Sequence, residues 1–148
     1  MTKVEGISEI SSLELLSEIG TDMSKWQNSK HFSAWLNLAP NTKITGGKII
    51  SSKMQKKKNH AGQTMRMSAS NLSRCNSPIG DYARKMKSKL GGKGGVVATA
   101  HKLARIVFTM LKEQREYDPQ IAGINNEIWK AKKIKYYENQ LMKLKKAG

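Results

Sequence analysis

The stretch VVATAHKLARIVFTMLK, Val96 to Lys112, decides the reading of the fold. Its apolar residues Val96, Val97, Ala100, Leu103, Ala104, Val107, Phe108 and Leu111 recur at the three- and four-residue steps of one helical face. His101, Lys102, Arg105 and Lys112 fall on the other arc. A helix with one apolar face needs other elements to cover it. The spacing therefore predicts a mainly α fold, a small helical domain of about four to six helices gathered around this one.

Working upstream, Gly91, Gly92, Gly94 and Gly95 predict an interruption, read here as a flexible connection between helices. The run GGKGG lacks the GxxxxGK[ST] spacing that cradles nucleotide phosphates, which argues against an NTP site. Ser77-Pro78 marks another helix start, with proline at its favoured first position. Gln63 to Arg74 reads as a helix with Met65, Ala69 and Leu72 inward and Arg66, Ser70 and Arg74 elsewhere. Asn41 to Ala61 reads as a basic loop or β-hairpin turning at Gly46 and Gly47, with Ile44, Ile49 and Ile50 as flanking β-formers. Ser29 to Leu38 is expected to be a short helix with Phe32, Trp35 and Leu36 on one face, stopped by Pro40.

In the first segment, Val4, Ile7, Ile10, Leu13, Leu16 and Ile19 are spaced by three, which suits a short helix capped by Ser11 or Ser12 and stopped by Gly20. Gly6-Ile7-Ser8 before that helix is similar to the turn of a helix-hairpin-helix, whose amides can bind a DNA phosphate. An ordinary amphipathic helix after a turn fits the same residues equally well. Only Met1 to Val4 remain for a first helix, so the chain is expected to be a truncated product. Beyond Pro119, Ile124 to Lys146 is expected to form a long basic helix, surface-lying or coiled-coil-like, with Ile128, Trp129, Ile134, Tyr137, Leu141 and Leu144 as its apolar residues. The expected organisation is thus 1–22 as a partial helix-hairpin-helix-like segment, 23–118 as the main helical domain and 119–148 as a C-terminal helix.

Charge narrows the function. The 148 residues hold 27 Lys plus Arg against 11 Asp plus Glu, a formal net charge of +16. Five of the acids, Glu5, Glu9, Glu14, Glu18 and Asp22, precede Ser24; from there to Leu111 the chain carries 17 basic residues and one acid, Asp81. A potential of one sign over so long a window attracts phosphate backbones and releases their counterions, so nucleic acid is preferred to a merely solvated lysine face. Aromatics are only 6% of the chain, which implies a thin core or one completed by a partner domain or nucleic acid.

Cys75 is the single cysteine, so no intramolecular disulfide framework exists; it reads as a buried, inert thiol. His31, His60 and His101 are scattered without ligand spacing, and with one carboxylate in the central window no metal site is expected on this chain. No apolar stretch is long enough for a membrane span and no signal peptide is evident, so a soluble, cytoplasmic protein with no membrane partner is expected. Among hydroxyl nucleophiles Thr45 stands apart, because it precedes two glycines in a lysine-rich loop where backbone can approach a phosphate and cations can stabilise a phosphoryl transition state.

The run HFSAWLNLAPNTKITGGK (31–48), with EIGTDMSKW (18–26) before it and ATAHKLARIVFTMLKEQREYD (98–118) after it, closely resembles the C-terminal domain of the DEDD-type insertion-sequence transposases of the one-hundred-ten and one-hundred-sixteen group. The similarity covers about Val4 to Asp118. The resemblance implies a transposase or site-specific recombinase whose RNase-H-like N-terminal domain carries the acidic metal-binding residues, while the helical C-terminal domain supplies a serine that attacks a DNA phosphate. It also implies a structured guide RNA. This sequence departs from that pattern twice: the acidic domain is missing, and Thr45 occupies the serine position. Threonine keeps the hydroxyl but adds a methyl and a stiffer side chain. Ser51 and Ser52 lie nearby but outside the motif.

The expected function is DNA binding and strand exchange in transposition, from a truncated or decayed copy that is inactive alone. Thr45 is the candidate nucleophile, and Gly46, Gly47, Lys48, Lys53, Lys56, Lys57, Lys58, Arg66 and Arg105 the candidate DNA-binding set. No cofactor is expected on the chain itself; magnesium enters only with the acidic domain. Expected partners are DNA, a structured guide RNA, that RNase-H-like domain and a second copy in a homo-oligomer. The competing reading is a non-catalytic basic helical protein that binds RNA or DNA structurally. A membrane-surface role conflicts with the polar loops and the lack of a strongly apolar helix face.

Overall fold

The computed structural model of the chain describes residues 2–52, 54, 58–118 and, beyond them, 131, 134, 135, 137–139, 141, 142 and 144. It divides into two units, Met1–Tyr117 and Asp118–Gly148. Past Asp118, the described positions of the second unit are helical and exposed; most of the helix expected over Ile124 to Lys146 lies outside the described residues. In the first unit the elements run α1 (Glu9–Ile19), α2 (Ser29–Trp35), β1 (Lys43–Thr45), β2 (Lys48–Ser51), α3 (His60–Asn71) and α4 (Pro78–Glu113), with a 3₁₀ turn at Leu72–Arg74. The mainly α expectation is met.

Helix α1 starts earlier than the sequence suggested. Ser8, not Ser11 or Ser12, is its cap, its hydroxyl accepting from the Ser11 amide at 3.2 Å, and Gly20 ends it as expected. Its buried face is Ser12, Leu15 and Ile19, whereas Ile10 and Leu13 are 72% and 69% exposed. A strict step of three walks around a helix of 3.6 residues per turn, so the evenly spaced apolar residues never formed one stripe. Val4 and Ile7 are buried from the preceding turn instead. That turn needs Gly6, at φ +85°: a Cβ there would come 2.8 Å from the Ser68 carbonyl and 2.9 Å from Leu72 Cδ2, so the chain start is pressed onto α3. Among the described residues no helix precedes it.

Helix α2 is short, and its stability comes from what it packs. Phe32 is fully buried, with its ring 4.9 Å from Trp26 in an edge-on arrangement, 6.4 Å from Trp35 and 5.7 Å from Phe108 of α4. Four of the chain's nine aromatics are thus gathered where α2 meets α4, each such pair adding about 0.5–1.5 kcal/mol beyond its buried area. Trp35 is only half-buried, while Leu36 and Leu38 past the helix end are in the core. Asn59 then couples this region to α3: its Nδ2 donates to the Trp35 carbonyl at 2.9 Å while its Oδ1 accepts from the Gly62 amide at 2.7 Å as the cap of α3. Met65, Ala69 and Leu72 point inward from α3, as the sequence indicates.

The glycine-rich run behaves differently from a flexible connection. Only Gly91 leaves helical geometry, at φ +75° and ψ 175°; Gly92, Gly94 and Gly95 are helical. Gly91 divides α4 into two arms, residues 78–90 and 92–113. A Cβ on Gly95 would lie 2.5 Å from the Cα and 2.7 Å from the backbone nitrogen of Lys87. On a straight helix those residues would be about 12 Å apart along the axis. The arms therefore fold back on each other at a one-residue corner. Ala100, Leu103, Ala104, Val107 and Phe108 of the second arm are buried, joined by Thr99 and Ile106, which the apolar periodicity had not singled out. Val96, Val97 and Leu111 are half-buried at the margins. Cys75 is also half-buried rather than enclosed, because it follows the 3₁₀ turn at the edge of the core.

Candidate nucleic-acid interface

Residues 43–51 form an antiparallel hairpin in the register Ile44 to Ile49 and Thr45 to Lys48, with an irregularity beside Lys43. Gly46 and Gly47 have φ +56° and +75°. Positive φ at both central positions is what a tight two-residue hairpin turn requires, and glycine reaches it without steric cost. Positions 43–50 are all exposed, so the hairpin stands on the surface and contributes little to the core.

This turn brings four of the candidate residues together. Thr45 ends β1, Lys48 begins β2 directly opposite it, and Gly46 and Gly47 lie between. An exposed hydroxyl, two residues without side chains and a cation are therefore adjacent at the tip. Lys58 is exposed just before the cap of α3. Lys53, Lys56 and Lys57 lie outside the described residues.

The two arginines belong to the helical body. Arg66 is half-buried and its Nη1 donates to the Asn37 carbonyl at 3.4 Å, holding the turn after α2 against α3. Arg105 is exposed on the second arm of α4. Its charge reaches three neighbours: Lys102 and His101 on its own arm and Tyr82 on the other. Burial first, and then Arg105, hold the His101 and Lys102 pKa values below their ordinary range. Burial pushes the Tyr82 phenol up, opposed by Arg105. These residues make a corner of cations and aromatic rings between the arms. Sequence reading had put His101 and Lys102 on the solvent arc and passed over Tyr82; only the corner at Gly91 brings the arms together, and no local signal gives that angle.

Arg84 is the other residue missed. It donates to the carbonyls of Ser73 at 3.0 Å and Cys75 at 2.8 Å and pairs with Asp81 three residues back. The i, i+3 spacing of Asp81 and Arg84 was a signal that could have found the pair. The central window's one acid is thereby neutralised locally.

Among the described residues no three His, Cys, Asp or Glu side chains lie close enough together to hold a metal ion.

A family model described as Transposase IS116/IS110/IS902 family matches residues 1–84, more than half of the 148. The chain belongs to this transposase family. Its match includes the turn at Gly6, the aromatic cluster of α2, the hairpin with Thr45, α3 and the start of α4; the second arm of α4 follows it. Neither the curated proteins nor the solved structures contain a match to this chain. Membership ties the protein to transposition of insertion sequences and to interaction with DNA. Among the described residues, no helix is long and apolar enough to cross a membrane.

Proposed function

We propose that this chain is a DNA-binding and strand-exchange module of a transposase, in which the hairpin tip offers Thr45 to a DNA phosphate while exposed lysines hold the backbone. The observation that carries the reading is the tip itself: a hydroxyl, two glycines and Lys48 on an exposed hairpin, within a chain window containing 17 basic residues and one acid that is already paired. Glycine removes side-chain bulk where a phosphate must come close, and lysines neutralise its charge. In the exchange step, the Thr45 oxygen bonds to phosphorus as a phosphorus–deoxyribose oxygen bond breaks, the hydroxyl proton leaves and the departing oxygen takes up a proton. The carboxylates for this chemistry come from an RNase-H-like domain outside these residues. A structured guide RNA and a second copy are the further partners of this reading.

Two measurements test it. Binding of duplex DNA should weaken steeply with salt, and replacing Lys43, Lys48 and Lys58 together by alanine should flatten the slope of log affinity against log salt by about 2 to 3 units; an unchanged slope places the interface elsewhere. With an acidic RNase-H-like domain supplied in trans, a covalent protein–DNA adduct should form, increase in Thr45→Ser and disappear in Thr45→Ala. Persistence of the adduct in Thr45→Ala would assign the nucleophile to another residue.

A further inference from the structure

A groove of about 670 Å³ opens between the hairpin's exit and the corner of α4. Leu38, Pro40, Leu90 and Val97 supply apolar wall, and Tyr82 and His101 bring an aromatic ring from each arm. Its size is that of a small-ligand site. We propose that this groove receives one unstacked nucleobase of a nucleic-acid strand, with the adjoining phosphates held by the cations at its edge; this rests on the reading of the chain as nucleic-acid-binding.

Charge complementarity selects that occupant. Lys93 lines the groove, and among the described residues none that lines it is acidic. Arg105, exposed one helical turn beyond His101, adds a second cation on the same arm. Asp81, the neighbour of Tyr82 in sequence, is taken up by Arg84. A bare phosphate would leave the apolar walls unused, and an apolar peptide face would leave the cations unpaired. A nucleotide uses both. Burial, then Arg105, lowers the His101 pKa and so favours the neutral ring, which has one nitrogen as donor and one as acceptor, as suits the mixed edge of a base. Stacking of a base on an aromatic side chain is worth about 5- to 150-fold in affinity and tolerates any base, since each has a π-face.

The test uses the full chain and three fluorescein-labelled probes at one salt concentration: a short oligothymidylate, a strand of equal length made of abasic residues, and a DNA duplex. The oligothymidylate should bind at least about fivefold more tightly than the abasic strand. Val97→Trp, which fills the groove, and Tyr82→Leu, which removes a ring but keeps apolar bulk, should each reduce that preference to near unity while duplex binding persists. Equal binding of the two single strands by the unaltered chain, or a preference that survives both substitutions, overturns the inference while leaving the duplex-binding reading intact. Failure to bind any of the three probes overturns that reading and the inference together. Should Val97→Trp lose its helical circular dichroism, Tyr82→Leu decides alone.

Discussion

Three neighbouring glycines in α4 should respond to the same substitution in opposite directions. At Gly92 the backbone is helical and nothing lies within 4 Å of the position a Cβ would take, so Gly92→Ala should add stability by the helix-propensity difference, about 1 kcal/mol. Gly95 gains the same about 1 kcal/mol, but its Cβ would meet the Lys87 backbone at 2.5 Å. Backbone cannot rotate aside as a side chain can, so the overpacking penalty belongs near the top of its usual span, about 3 kcal/mol. The net for Gly95→Ala is a loss of about 2 kcal/mol. Gly91→Ala meets no neighbour, yet φ +75° with ψ 175° is a conformation essentially reserved for glycine, costing about 1–3 kcal/mol. At roughly 4 °C per kcal/mol for a unit of this size, thermal unfolding followed at 222 nm should shift by about +4 °C for Gly92→Ala and about −8 °C for Gly95→Ala. Equal midpoints for these two variants would refute the folding-back of the arms, and with it the corner on which the groove depends.

Asn59→Ala should cost about 1–2 kcal/mol, because it removes the cap of α3 and leaves the Trp35 carbonyl without that donor; urea titration of the variant against the parent checks it. His101 gives a pH signature. Its folded pKa is depressed, so the unfolded chain takes up the proton first, and stability should fall as pH drops through about 6.5 toward the folded value. Denaturation midpoints measured from pH 7.5 to 5 should decline less steeply in His101→Gln, and identical slopes would show that His101 is not buried between the arms.

Much of this arrangement was legible because single residue types punctuate it. Pro78 behind Ser77, Gly20, the Gly46-Gly47 pair and the periodicity of the second arm each act through local backbone geometry, which sequence displays directly. The buried face of α1 was not legible: Ile10 and Leu13 are as apolar as Leu15, and which of them is covered depends on how α3 lies across the helix. The glycine run misled in the other direction. Four glycines suggest looseness, whereas one makes the corner and another permits backbone to touch backbone. For the candidate site, the hairpin tip could be read because turn chemistry is local, while the meeting of Tyr82, His101 and Arg105 comes from residues on two arms and needed the tertiary path of the chain.

The hairpin's complete exposure separates two kinds of selection. Residues 43–50 bury nothing, so replacing any of them leaves the helical body's core energetics nearly untouched, apart from the two glycines that set the turn. A segment under no packing constraint is free to drift or to change length in related elements. Where transposases of this kind retain a hydroxyl and a lysine on either side of such a turn, core packing does not account for it, and under the proposed function the frequency of each residue there would record what the DNA demands.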